Sequence, residues 1–203
     1  MSDSFKTIAA PSEGIIREKM SKFIAFAFPV TSSAEARERI AEVQKRYHDA
    51  RHVCWAYMIG AARTDFMSND NGEPSGTAGK PILGQINSME LTNVAIAVVR
   101  YFGGIKLGTS GLIAAYREAA RTALEAAEII EGHETADISF FFPYMAMNDV
   151  MRITKRPGIS VVSQNFDNSC SMVLRIRRDE AQKLREALAD IDGVTFAGDD
   201  DFS

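Results

Sequence analysis

Cysteine is scarce in this chain: Cys54 and Cys170 are the only two in 203 residues. They are far apart, sit in strand-like apolar runs and match no metal-ligand spacing, so buried thiols are expected rather than a disulfide or a zinc site. A basic surplus is also lacking. The formal charge is −4; residues 1–132 carry 15 basic and 15 acidic side chains, and residues 133–203 carry 8 and 12. Nonspecific nucleic-acid binders usually show excess positive charge, so charge lends that class no support. No basic leader precedes an apolar run, and no apolar stretch reaches the roughly 18 residues that span a bilayer. A cytoplasmic chain with no membrane partner is the expectation.

Catalytic signatures are missing as well. H-E-x-x-H, G-x-S-x-G and paired C-x-x-C do not occur, nor do G-x-x-x-x-G-K-[ST] and G-x-G-x-x-G. These absences remove the common metalloprotease, serine-hydrolase, P-loop and dinucleotide-binding readings. His48 and His52 lie near Cys54 in sequence, but a strand spaces His52 and Cys54 too widely for direct proton transfer. A hydrogen-bonded or interface role fits His52 better, and His133 carries no signal. No catalytic residue, metal or cofactor is assigned.

What is present is a globular composition, 46% hydrophobic and 25% charged, at a length able to bury a core unaided. After a short polar lead, "EGIIREKMSKFIAFAFPV" predicts a hairpin or bent strand. In the next segment Ser32 and Glu35 form a capping box. Ala36, Ile40, Val43 and Tyr47 then recur at helical spacing. "HVCWAYMIG" predicts a strand, and "RTDFMSNDNGEPSGTAGKP" a long loop. "AGKPILGQINSM" has room for a short helix. "TNVAIAVVRYF" reads as a central strand, apolar on both faces. A helix over residues 109–130 follows, with its stripe at Leu112, Ala115, Tyr116, Ala119, Ala123 and Ala126.

"IEGHE" reads as a linker. Beyond it lies a β-α-β-β-α-β series: "TADISFFFP", a helix over residues 144–154 with Met147, Val150 and Met151 inward, "GISVVSQNF", a "DN" hairpin turn and "SCSMVLRIR". Asp179 and Gln182 are spaced as a capping box for a helix that turns Ala181, Leu184, Leu188 and Ile191 inward, and "GVTFAG" closes the sheet. That order predicts a ferredoxin-like sandwich. The fold class expected is α+β in two domains, residues 1–132 and 133–203.

Two polar stretches carry the functional signal. "RYFGGIKLGTSGLIAAYREAA" puts four glycines in nine residues between a strand and a helix. Either Thr109 or Ser110 caps that helix while the glycines turn the chain, or its start offers bare amides and a positive dipole end to an anion. The loop "NDNGEPSGTAGKP" holds Asp70, Glu73, Ser75, Thr77 and Lys80, which read as a contact surface, as an acid/base or Mg²⁺ pair with Lys80 on a phosphate, or as turn structure alone. Basic and aromatic residues interleave at Arg51, His52 and Trp55 and at Arg100, Tyr101 and Phe102. Arg175, Arg177 and Arg178 form a further basic cluster, read either as RNA-facing or as edge-strand charge.

"NDNGEPSGTAGKPIL" followed by "VVRYFGGIKLGTSGLIAAY" resembles the IMPACT family, as do the earlier "SKFIAFAFPV" and "HVCWAYMIG". The resemblance covers most of residues 12–130. It implies a first domain with the β-α-β arrangement shared by a small-subunit ribosomal protein, the fourth domain of elongation factor G and the GHMP small-molecule kinases. The second domain would resemble the fifth domain of elongation factor G. The family's eukaryotic namesake is linked to translational control through a stress-responsive initiation-factor kinase. Two positions depart from the family pattern. Asn71 stands where a second aspartate is usual, which weakens a two-carboxylate metal reading, and Ala114 stands where arginine is usual, which removes a potential phosphate contact.

The function expected is non-enzymatic and translation-associated or regulatory, with RNA, a ribosome or a translation factor as partner. The binding set is His52, Asp70, Glu73, Ser75, Thr77, Lys80, Arg100, Lys106, Gly108, Thr109, Ser110 and Gly111, with an anion or phosphate at the Gly108–Gly111 helix start. Two alternatives stand beside it: an enzyme acting on a phosphorylated small molecule or nucleotide, and a protein-only module whose acidic second domain docks a basic partner.

Overall fold

The computed structural model describes residues 4–167 and 169–197. They form mixed α/β architecture with three sheets among the described residues, in two compact units: Ser4–Gly132, and the described residues from His133 onward.

The first unit is built on an antiparallel five-stranded sheet. Its strands are β2 (Ser12–Glu18), β3 (Ser21–Pro29), β4 (His52–Ile59), β5 (Asp65–Asn69) and β6 (Val94–Tyr101), in the order β2-β3-β6-β4-β5. The hairpin expected at the start is β2–β3. Its two-residue turn, Lys19-Met20, has both φ angles positive (44° and 69°), which matches the strand twist. β6 occupies the centre and is buried along both faces, as its unbroken apolar sequence requires. Val94, Ile96 and Val98 face one core, and Ala95, Ala97 and Val99 the other.

Helix α1 (Ser33–Arg46) covers the second face with Ala36, Ile40 and Val43. Its start is capped as expected: the Glu35 amide donates to Ser32 Oγ at 3.1 Å. The reciprocal bond to the Glu35 carboxylate comes from the Thr31 amide at 2.8 Å. Helices α2 (Gly79–Ser88) and α3 (Gly108–Glu125) cover the first face. Alanines at 115, 119, 120 and 123 let α3 lie close to the sheet. The approach is so close that a Cβ at Gly14 on β2 would stand 2.5 Å from the Ala123 amide nitrogen.

The second unit has strands β8 (Thr135–Phe142), β9 (Ser160–Asn165), β10 (Cys170–Arg177) and β11 (Thr195–Phe196), ordered β11-β8-β10-β9 and antiparallel throughout. Helices α4 (Met147–Thr154) and α5 (Ala181–Ala189) supply Val150, Ile153, Leu184 and Leu188 to a core with Phe140, Met172, Leu174 and Ile176. Met147 and Met151 are only partly buried against it. The "DN" turn includes residue 168, outside the described residues.

Several expectations are corrected. The polar lead contains strand β1 (Ser4–Ile8), and the "linker" contains β7 (Ile129–His133); the two pair in a small sheet. The start of the long loop is edge strand β5. α3 ends at Glu125, leaving Ala126 exposed while Leu124 is buried, because the chain turns there toward β7. The capping box at Asp179 does not form: residues 178–180 make a 3₁₀ turn, α5 starts without a side-chain cap, and Gln182 binds Glu186. Both cysteines are buried and free.

Candidate functional site

The loop after β5 is organised by its own first residues. Burial opposes the charge of Asp70, but the amides of Gly76, Gly79 and Ala78, aided by Lys80, outweigh it and hold the carboxyl below its usual range. Oδ2 accepts from Gly76 at 2.8 Å, and Oδ1 from Gly79 at 2.8 Å and Ala78 at 3.1 Å. Asp70 thus caps α2 from across the loop, since Ala78 at the helix start has no capping side chain. Asn71 takes a left-handed backbone (φ 42°), which Asn tolerates well. Its Oδ1 accepts from the Val53 amide at 2.8 Å, and its carbonyl oxygen lies 2.8 Å from His52 Nδ1. Thr77 Oγ1 donates to the Pro74 carbonyl at 2.6 Å.

These bonds turn Glu73 inward. Its Oε1 accepts from Arg100 Nη1 at 2.6 Å and from the Tyr116 hydroxyl at 2.8 Å, with the Glu73 and Arg100 side chains 3% and 8% exposed. Arg100 comes from the end of β6, where its backbone pairs with Phe23 on one side and His52 on the other. Its guanidinium carbon is 5.7 Å from the ring centroids of both Phe23 and Phe102, a cation–π distance. Arg100 Nε is buried and has no hydrogen-bond partner. Tyr116, from α3, meets Phe23 edge-on at 5.1 Å. Behind it, Cys54 Sγ lies 3.0 Å from the Asp70 carbonyl oxygen and 3.3 Å from the Tyr116 hydroxyl. Burial pushes the Cys54 thiol up to about 12 and raises the Tyr116 hydroxyl as well.

Arg100 and Glu73 line a cavity of about 410 Å³. Arg51, His52 and Lys106 stand on its wall, with Gly108 and Thr109 at the start of α3. The apolar part of the lining is Pro74, Phe102, Leu107 and Leu112. α3 begins after Leu107 with no side-chain cap, so neither Thr109 nor Ser110 performs the capping considered above. Gly108 has φ +73° with open space around its α-carbon, and the turn needs glycine there for its backbone angle. Gly103 serves differently: a Cβ would fall 2.0 Å from the Met20 carbonyl group.

Of the twelve expected binding residues, the cavity gathers His52, Glu73, Arg100, Lys106, Gly108 and Thr109. Asp70 and Thr77 are consumed in holding the loop, and Ser75 and Ser110 are exposed outside the cavity lining. Lys80 lines a separate depression beside α2 with Gln85 and Arg117. Gly111 and Ala114 line a third, facing Arg17 and Glu18 of β2, so the exchange to Ala114 does not touch the Arg100 cavity. In the second unit, Arg175 is held by Asp137 at 2.7 and 2.8 Å and Arg178 by Glu134 at 3.3 Å. Arg175 lies on β10, which is interior to the sheet and not an edge, and Arg178 lies just past its end. Among the described residues, no cluster of three or more His, Cys, Asp or Glu could hold a metal ion.

Sequence reading singled out Phe102 beside Arg100 but missed Leu107 and Leu112 as cavity walls and Tyr116 as a partner of Glu73. The one available cue was Arg100 itself, a lone charge closing an apolar strand.

Residues 19–124 match the family model described as the Impact N-terminal domain. An IMPACT family member from Haemophilus influenzae is 30% identical over 189 residues, covering 89% of this chain and 90% of that protein. The IMPACT family member YigZ of Escherichia coli is 38% identical over 116 residues, covering 56% of this chain and 57% of that protein. A solved structure of a hypothetical protein, 24% identical, matches with a TM-score of 0.77 over 97% of both chains and supports the fold alone. By the residues matched and the extent of the Haemophilus relative, this chain belongs to the IMPACT family.

Proposed function

We propose that this chain is a translation-associated regulatory protein of the cytoplasm. It works by binding RNA, free or in the ribosome, and the Arg100 cavity contacts phosphate. Family membership supplies the translational context. The observation that carries the reading is the Arg100 cavity: a buried guanidinium with an unpartnered Nε, beside an uncapped helix start and two further cations. Helix starts and arginines are the groups that position phosphates. Within this reading the first unit corresponds to the ribosomal-protein and elongation-factor-G domain IV type. The second corresponds to a ferredoxin-like sandwich of the domain V type, as its β11-β8-β10-β9 order supports.

Binding is favoured over catalysis by the state of the nearby groups. Asp70 is occupied by three amides, Glu73 by Arg100 and Tyr116, and Cys54 is held as a thiol. Asp70 and Cys54 are not part of the cavity lining, and Glu73 is tied to Arg100 and Tyr116. The test is sedimentation with ribosomes and filter binding with tRNA across a salt series. Association at low salt that falls steeply as salt rises is expected, with Lys106→Glu weaker throughout. No association at low salt would overturn the reading.

A further inference from the structure

We propose that the Arg100 cavity is a receptor for a terminal phosphate monoester carried on a nucleotide, either a free mononucleotide or the 5′ end of an RNA strand. The inference rests on the reading of this cavity as a phosphate-contacting site and names the form of phosphate it takes.

Charge selects the monoester. Arg51, Arg100 and Lys106 line the cavity with one carboxylate, Glu73, a formal surplus of two positive charges. The uncapped start of the 18-residue helix α3 adds a partial positive charge. An internucleotide phosphate offers a single negative charge, whereas a terminal phosphate carries roughly −1.5 to −2 near neutral pH. The surplus matches the terminal group.

Arg100 and the start of α3 border the same cavity. Glu73 engages Arg100 through Nη1, which leaves Nε of a side chain only 8% exposed with no partner. An unsatisfied buried donor on a charged group is costly unless a ligand completes it. Gly108 and Thr109, at the wall of the same cavity, open α3 with amides that no side chain caps.

The apolar wall calls for more than phosphate. Pro74, Phe102, Leu107 and Leu112 line the remainder, and Phe102 is 55% exposed. A planar base stacks on such a ring irrespective of its identity. The volume of about 410 Å³ lies within the range of small-molecule pockets, roughly 300–1,000 Å³. Inorganic phosphate would leave this wall wet.

The experiment is calorimetric titration of the full chain with AMP, GMP, adenosine and inorganic phosphate. In parallel, one oligoribonucleotide is titrated bearing either a 5′-phosphate or a 5′-hydroxyl. The expected result is binding of the mononucleotides at least about tenfold tighter than adenosine or inorganic phosphate. The 5′-phosphorylated strand should exceed its hydroxyl counterpart by a similar factor. Lys106→Glu and Arg51→Glu, both at exposed positions, should each abolish that advantage. Arg100→Met should do so too where it folds. Equal binding of the two strands with no mononucleotide binding overturns the inference and leaves the RNA reading standing. Mononucleotide binding without any RNA or ribosome association supports the inference and overturns that reading. Mononucleotide affinity unchanged in both surface variants places the ligand elsewhere and also overturns the inference.

Discussion

Glu73 and Arg100 meet at 2.6 Å with both side chains almost closed to solvent. The pair joins the loop after β5 to the end of the central strand. Removing one partner strands the other. Glu73→Ala should therefore destabilise the first unit by about 3–5 kcal/mol. Glu73→Gln, which keeps an acceptor for Arg100 and Tyr116, should cost clearly less. Urea unfolding followed by tryptophan fluorescence reads both, and Glu73→Ala within 1 kcal/mol of the parent (an order-of-magnitude bound) would contradict a structural role for the pair.

Asp70 makes a pH-dependent contribution on the acid side. Its carboxyl is held below the usual range by the amides of Gly76, Gly79 and Ala78 against the opposing effect of burial. A lowered folded value means the stabilisation is fully present above the unfolded value, about 3.9. It declines as pH falls below that point and is gone once pH passes the lower folded value. Thermal melts between about pH 6 and pH 2 should show Asp70→Asn less stable than the parent at the upper end, with the gap closing toward the lower. A constant gap would disprove the assignment.

The Cys54 thiol, pushed up to about 12 mainly by burial, should resist thiol reagents while the protein is folded. Both cysteines are buried, so a colourimetric disulfide reagent should titrate none of them at pH 8 and two in denaturant. The same shift makes the folded state lose stability as pH rises from the ordinary thiol value of about 8.5 toward 12. Fast modification of Cys54 in the native protein would mean that the network behind Glu73 is open to solvent.

Gly103 and Gly108 separate two reasons for glycine. Gly103→Ala would drive a methyl into the Met20 backbone at 2.0 Å and should prevent the β3–β6 end from closing. Gly108→Ala meets nothing within 4 Å but must hold φ +73°, a cost of about 1–2 kcal/mol. Chemical denaturation of the two variants should rank Gly103→Ala far below Gly108→Ala. The reverse order would refute this account of the turn.

Residues that bury a regular face were legible in the sequence. β6, α1 and α3 announce themselves by unbroken apolar character or helical spacing, because tertiary burial acts on that pattern. β5 and β7 did not, since β5 exposes Asp65, Phe66, Met67 and Asn69 and β7 exposes Ile129, Ile130 and Glu131. Strands without a buried face carry no alternation to read. In the site, the grouping of Glu73, Arg100, Lys106 and Gly108 followed from two polar stretches. Asp70 shows why the rest did not: a carboxylate free for a ligand and one spent on three backbone amides look the same in a sequence. Leu112 was hidden for the opposite reason, as an apolar side chain read as core.

The row Phe23–Arg100–His52 crosses three adjacent strands in register. A guanidinium mounted there is braced on both flanks by ladder hydrogen bonds, and its carboxylate partner is fixed by a loop tied at Asp70. Whatever docks against it meets a rigid anvil rather than a closing jaw. Little chain entropy is left to lose on docking, so discrimination at this spot comes from shape and charge already in place before the guest arrives.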